Sequence, residues 1–362
     1  MARQSRGEVF DPGEVSVWHC VNRCVRRCFL CGFDPLSARN FDHRKQWLEQ
    51  RFQFLASQFG IDVLGFSILS NHFHIILRNR PDVVACWSDE EVARRWLGLC
   101  PLHKGEVEEP TAAEIRSLVG IPDRLAEIRR RLSSISWFMR MAAEPVARQA
   151  NREDQTTGRF WQGRFRAVKL CDDAALLACS IYVDLNPIRA GIAATPETSD
   201  YTSAQRRIDS ARRGIEAFDR SPDPAAPESP PTISAKEKAA PDRWLAPLAL
   251  NEASQKPGPA LHQGSQRCSD KGFLPISLGE YLQLLDWTGR QLVAGKQGTI
   301  PRDLAPLLTR LGIPPDGWMA VTSRFGGLYH RIAGGCPAAS RERTRHSGHR
   351  FHCRHAHLLG SP

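Results

Sequence analysis

The segment Phe66-Ser-Ile-Leu-Ser-Asn71-His72-Phe73-His74-Ile75-Ile76-Leu77-Arg78 constrains this chain more than any other stretch. Ile, Leu and Phe dominate it and neither Gly nor Pro interrupts it, the composition of a β-strand. Side chains alternate faces along a strand, so His72 and His74 share one face and Phe73 takes the other. Burial alone does not place two polar rings in the middle of such a strand. Two imidazoles side by side on a sheet face can grip a divalent cation. For a lone His-x-His, a half-exposed pair on a wet face is the plainer alternative.

A second motif lies at Asp172-Asp-Ala-Ala-Leu-Leu-Ala-Cys-Ser-Ile-Tyr182-Val-Asp184-Leu-Asn186-Pro187-Ile-Arg189-Ala-Gly191. Asp172 or Asp173 suits an N-cap, where a carboxylate meets the positive end of the helix. Leu177, Ile181 and Leu185 recur at i, i+4 and i+8 and form the stripe to be buried. Pro187 ends the helix and biases Asn186 away from the α region. Tyr182 and Asn186 stand four apart and share a face. Taken alone, the Tyr reads equally as a packing residue and the Asn as a helix stop.

Taken together, these residues resemble a known family. His72-Phe73-His74, followed far downstream by Tyr182-x-x-x-Asn186-Pro187-x-Arg189-Ala190-Gly191, is similar to the single-tyrosine HUH transposases of insertion sequences and their relatives associated with repetitive extragenic palindromes. Trp18-His19-Cys20-Val21-Asn22-Arg23-Cys24-Val25-Arg26-Arg27 resembles the family's first strand, and Gly158-Arg159-Phe160-Trp161-Gln162-Gly163-Arg164-Phe165 resembles the stretch before its last. The resemblance covers residues 15–210. It implies an α+β fold, a ferredoxin-like antiparallel sheet with helices on one face. It also implies Mg²⁺ or Mn²⁺ held by His72, His74 and a polar third ligand, for which Asn186 matches by position and Asp184 is the alternative. The metal would polarise a scissile phosphate, and Tyr182 would attack it to leave a 5′-phosphotyrosine.

Charge agrees with a polyanionic partner. Lys and Arg number 49 against 39 Asp and Glu, a formal net charge of +10, and such a balance favours nucleic acid through counterion release. Arg23, Arg26 and Arg27 follow the first strand. Arg129 and Arg130 lie on a basic helix expected over about 122–150, where a solvated face is as good an account as a phosphate track. Arg159, Arg164, Arg166 and Lys169 alternate with Phe160, Trp161 and Phe165, a pattern suited to single strands, whose phosphates pair with Arg and whose bases stack on rings. The expected DNA contacts are therefore Arg26, Arg27, Arg129, Arg130, Arg159, Trp161, Arg164 and Arg189, with single-stranded or hairpin DNA as partner; homodimer formation is left open.

The order of elements predicted along the chain is a strand over 15–23, a helix over 42–58 and strands over 61–69 and 71–79. A helical insertion over 82–120 and the basic helix follow, then a strand near 164–171 and the Tyr182 helix. After a tail (1–14), the catalytic domain is placed at 15–215. Residues 216–245, rich in Pro, Ala, Ser and Asp, read as a linker without packed structure. A small helical C-terminal module is placed at 246–335, with helices over 277–289 and 301–312. Residues 336–362, basic and His-rich, read as a disordered tail. No leader-like or membrane-length apolar run is visible, so a cytoplasmic, nucleoid-associated location is expected. The 11 cysteines are then thiols, and Cys20, Cys24, Cys28 and Cys31 read as structural thiols ahead of a zinc site.

The function expected is that of a transposase-type single-strand endonuclease and strand transferase acting on hairpin-marked DNA. The alternatives are a domesticated processor of repeated palindromes and a catalytically silent DNA- or RNA-binding relative.

Overall fold

The computed structural model describes residues 11, 13–25, 31–34, 38–102, 109–219, 240–250, 266–294, 315–345 and 355–359. The expected 301–312 helix, most of the linker, Arg26, Arg27, Cys28 and much of the His-rich tail lie outside the described residues. The protein is a mixed α+β structure around a five-stranded sheet. Its strands are β1 (Ser16–Arg23), β4 (Ile61–Ile68), β5 (His72–Asn79), β6 (Arg166–Leu170) and β7 (Ile332–Ala333), with β2 (Phe33–Asp34) and β3 (Arg39–Asn40) forming a separate hairpin. The helices are α1 (His43–Gln58), α2 (Pro81–Ala85), α3 (Asp89–Leu99), α4 (Ala112–Val119), α5 (Pro122–Leu132), α6 (Ile135–Glu153), α7 (Asp173–Asp184), α8 (Asn186–Arg189), α9 (Ser203–Asp219), α10 (Leu278–Ala294), α11 (Pro315–Leu328) and α12 (Cys336–Arg345).

The strand order is β4-β5-β1-β6-β7. The first four run antiparallel, and β7 joins β6 in parallel through Lys169–Ile332 and Leu170–Ala333. The expectation of a wholly antiparallel sheet is thus corrected at one edge, by a strand that comes from the far end of the chain. Strand alternation divides the sheet into two cores. Trp18, Cys20, Phe73, Ile75 and Leu77 face a core with Leu48, Phe52 and Leu55 of α1 and Phe138, Ala142 and Val146 of α6. Leu64, Ile76 and Val168 face a second core with Leu177 and Ile181 of α7, Leu284 of α10 and Phe325 of α11. Helices therefore cover both faces, not one: α1 and α6, which link the strands, lie on the Phe73 face, and the later helices roof the histidine face.

The basic helix is two helices, broken at Ser133-Ser134. The helical insertion is present: of its apolar residues, Val92, Trp96 and Leu99 are buried on the Phe73 side of the sheet, and Trp87 packs against the same core partly buried. The region beyond the linker does not stand apart from the rest of the chain. The Ala246 N–H donates to the Val63 carbonyl at 2.9 Å. Arg78, held by Asp62 at 2.8 Å, donates to the carbonyls of Lys271 and Gly272 at 2.7 and 3.0 Å. The expected 277–289 helix runs as Leu278–Ala294. In the stretch expected to lack structure, Cys336–Arg345 is helical. No helix among the described residues is long and apolar enough to cross a membrane.

Candidate active site

Strand register brings the site together. Val21 pairs with His74, Arg23 with His72 and His19 with Ile76 across β1 and β5, and Val21 pairs with Arg166 across β1 and β6. These residues share the face that α7 and α11 cover. His74 and His19 are buried, while His72 is half-buried at the rim. The ring centroids of His72 and His74 are 5.0 Å apart. His74 Nδ1 meets His19 Nε2 at 2.9 Å, and His72 Nδ1 meets Asn71 Oδ1 at 2.6 Å. Each ring on β5 thus has Nδ1 engaged and Nε2 left over, and His74 Nε2 is buried without a hydrogen-bond partner.

α7 delivers the tyrosine. Asp172 caps it as expected, accepting from the Ala175 N–H at 2.8 Å. The end of the helix differs from expectation. The chain relaxes at Leu185 and restarts at once as the single turn α8, with Pro187 in its first turn, where a missing N–H costs nothing. Asn186 is therefore helical, and its amide donates to the Tyr182 carbonyl at 2.9 Å. The Tyr182 ring lies 5.6 Å from His74 and 6.0 Å from His19, with the Arg189 guanidinium 5.0 Å over it. α11 closes the other side: Phe325 sits 5.9 Å from the Tyr182 ring, and a Cβ added at Gly326 would lie 3.1 Å from its hydroxyl oxygen.

A cavity of about 520 Å³ opens between these groups, lined by His19, His72, His74, Tyr182, Arg23, Arg164 and Arg166 among others. Three arginines and no carboxylate line it among the described residues. A neighbouring cavity of about 620 Å³ shares Gly163 and Arg164 and adds Arg159, Phe160 and Trp161.

Burial sets the protonation states. His72 is pushed down to about 4 by burial and by the Arg23 charge. His19 is pushed down to about 3 by burial and by Arg166, and His74 falls well below the ordinary histidine value for the same leading reason. All three are neutral at pH 7, the state that can accept a hydrogen bond or bind a metal. Burial raises the Tyr182 hydroxyl, and the Arg189 charge opposes it only in part. Arg189 is itself pushed down to about 10 by burial.

The histidine values carry a stability prediction. Below pH 6.5 the unfolded chain takes up protons that the folded rings refuse, so stability should fall as pH drops from about 6.5 toward 5. His19 alone contributes a slope that rises from about 0.7 kcal/mol per pH unit at pH 6.5 toward about 1.4 near pH 5. Urea midpoints at pH 7, 6 and 5 check this, and the slope should shrink in His72→Gln. A midpoint constant over that window would mean that these rings accept protons in the folded protein.

The remaining expected residues scatter. Asn186 touches Tyr182 but does not line the cavity. Asp184 faces away, buried, accepting from Ser203 Oγ and Tyr281 Oη, both at 2.6 Å. Arg129 is spent inside the fold, donating to the Val84 and Trp87 carbonyls at 2.6 and 2.8 Å and to Asp89 at 2.8 Å. Its neighbour Arg130 is exposed on the same helix, on the Phe73 side of the sheet. The Trp161 indole N–H donates to the Ala143 carbonyl at 2.8 Å, which anchors its loop, while Arg159 and Arg164 are exposed beside it. Arg189 donates to the Thr322 carbonyl. Sequence reasoning passed over His19 as a site residue and placed Arg23 and Arg166 only in basic clusters, although two-residue alternation on neighbouring strands was available as a signal. Nothing in the pattern pointed to Phe325, Gly326 or Tyr329.

Cys20, Cys24 and Cys31 are buried, and burial pushes the Cys31 thiol up to about 12. Among the described residues no group of three His, Cys, Asp or Glu is arranged to hold a metal ion. No protein-family model matches the chain, and no curated protein matches it. A solved structure described as a REP-associated tyrosine transposase bound to a REP hairpin is similar to 65% of this chain and 100% of its own length, at 14% identity and a TM-score of 0.31, a likeness too slight to settle fold or function.

Proposed function

We propose that this protein is a single-strand DNA endonuclease and strand transferase of the single-tyrosine HUH type, built on a ferredoxin-like sheet. One observation carries the proposal: β5 presents His72 and His74, and α7, far along the sequence, presents Tyr182, to the same basic cavity. In this reading the Tyr182 hydroxyl oxygen bonds to phosphorus and the bond from phosphorus to the 3′-oxygen breaks. The phenolic proton is lost to solvent, and the leaving 3′-oxygen takes up a proton from solvent in its turn and departs as a free 3′-hydroxyl. The 5′-phosphotyrosine keeps the energy of the broken ester, so rejoining to another 3′-hydroxyl needs no nucleotide.

The burial that raises the Tyr182 hydroxyl makes it a poor nucleophile on its own. Arg189, buried over its ring, favours the phenolate and opposes that penalty. The donor set fits a divalent cation at one corner of the cavity. Two neutral imidazoles present Nε2, one of them with no other partner, so His72 and His74 would hold Mg²⁺ or Mn²⁺ with a carboxamide, water or phosphate oxygens completing the shell. When bound, such an ion supplies Lewis-acid polarisation of the phosphate and orients it.

Arg23, Arg164 and Arg166 at the cavity mouth suit phosphates, and Arg159 with Trp161 extends the basic track along the neighbouring cavity. Arg164→Ala should lower the slope of log affinity against log salt by about 0.7 on single-stranded DNA. Arg129→Ala should leave the slope unchanged, because its guanidinium is already held by protein oxygens. Equal slopes for wild type and Arg164→Ala would place the phosphates elsewhere.

Covalent trapping tests the whole reading: protein, Mn²⁺ and labelled single strands carrying hairpins are mixed and run on a denaturing gel, and a shifted band is expected. A second reading, a DNA-binding relative without turnover, is favoured by the cover that Gly326 and Phe325 place on Tyr182; binding with no band across a panel of hairpins would select it.

A further inference from the structure

We infer that His19 is a positioning residue, holding the His74 ring so that His74 presents Nε2, with its lone pair, to a divalent cation. The inference rests on the metal part of the proposed function and adds a residue to it. His19 and His74 sit two positions out of register on neighbouring strands, on one face, because Val21 pairs with His74 and His19 with Ile76. Their planes differ by only 10°, and the ring centroids are 5.1 Å apart while the facing nitrogens are 2.9 Å apart. The difference is what two ring radii supply, so the rings meet edge to edge and nearly coplanar, the geometry of an in-plane hydrogen bond rather than a stack.

Only one proton can lie between the two facing nitrogens of a neutral pair. If it belongs to His19 Nε2, the proton of His74 sits on Nε2 and blocks that atom. If it belongs to His74 Nδ1, the His74 Nε2 lone pair is free and His19 acts as acceptor, carrying its own proton on Nδ1. A cation at His74 therefore requires the second arrangement, and His19 is the only group within hydrogen-bonding distance of His74 Nδ1 among the described contacts. His19 is fixed in turn: it is 1% exposed and is walled by Phe325 at 6.1 Å and Tyr182 at 6.0 Å. Asn71 stands in the same relation to His72, at 2.6 Å from its Nδ1. Groups that hold the far nitrogen of a ligating histidine orient the ring and raise its basicity.

The test uses the full chain and two variants. His19→Phe keeps a ring of similar shape and removes the acceptor; His19→Gln restores an acceptor on a different skeleton. Calorimetric titration with Mn²⁺ should show His19→Phe weakened about 10–100-fold, with most of the loss recovered in His19→Gln. Nitrogen-15 NMR of the wild type saturated with Mg²⁺ should find the His74 proton on Nδ1. Wild-type Mn²⁺ affinity in His19→Phe, or a Mg²⁺-bound His74 carrying its proton on Nε2, overturns the inference, and the NMR measurement decides even if His19→Phe fails to fold. A wild type that binds neither ion is a different result, seen before any variant is made, and removes the metal reading together with the inference built on it.

Discussion

Tyr182→Phe is expected to abolish the covalent DNA adduct while leaving DNA affinity within about twofold of wild type. The substitution removes one oxygen and keeps the ring. That ring makes the contacts that hold the site together, edge-on to His74 and His19, tilted against Phe325 and under the Arg189 guanidinium. The hydroxyl itself packs over Gly326, where its loss opens a small space and exposes no charge. Fold and basic cavity should therefore survive, and only the nucleophile is lost. The measurement is the trapping gel beside a binding titration on the same labelled strand. An adduct that persists in Tyr182→Phe would assign the nucleophile to another residue. Loss of adduct and affinity together would mean that the hydroxyl holds DNA rather than attacks it.

The largest effect on stability is expected at Asp62. Its carboxylate is fully buried on β4 and accepts from Arg78 Nε at 2.8 Å, from Arg80 at 3.2 Å and from Ser269 Oγ at 2.9 Å. Arg80 is equally buried. Asp62→Ala leaves two guanidinium groups in a site with one fewer anion, and breaking a buried pair from one side costs about 3–5 kcal/mol. A domain stable by about 5–15 kcal/mol loses much of its margin to such a change. The urea midpoint should drop accordingly, and Asp62→Asn, which keeps the volume and two hydrogen-bonding groups, should fall between the two. A midpoint unchanged in Asp62→Ala would mean that solvent or Asp82, 2.9 Å from Arg80, compensates the loss.

Local pattern carried the reading of this chain a long way. The alternation of His72, Phe73 and His74 and the composition of Ile61–Ile68 placed both strands and assigned the faces correctly. The Asp172 cap and the Leu stripe placed α7. What local pattern does not hold is strand order: β1 lies beside β5 because of how the whole chain packs, and only that neighbourhood makes His19 and Arg23 part of the site. The same limit explains Arg129, whose charge was visible but whose carbonyl partners come from 42 and 45 residues away. Pro187 misled because its rule concerns a helix interior, and here it opens a new turn. The apolar residues of Leu278–Ala294 were legible as a helix. That their core is the roof of Tyr182 was not, since a stripe of Leu and Trp does not name the surface it will cover.

The roof has a consequence in time. Strands β1 to β6 and α7 leave the ribosome before any of α10, α11 or β7 exists, yet those later elements supply Phe325 and Gly326 over Tyr182 and complete one edge of the sheet. At ~5–20 residues per second the interval is on the order of ten seconds. Through it the nascent chain carries an uncovered apolar face and an unfinished site. A protein built this way completes the candidate site only when the last of these elements has been translated.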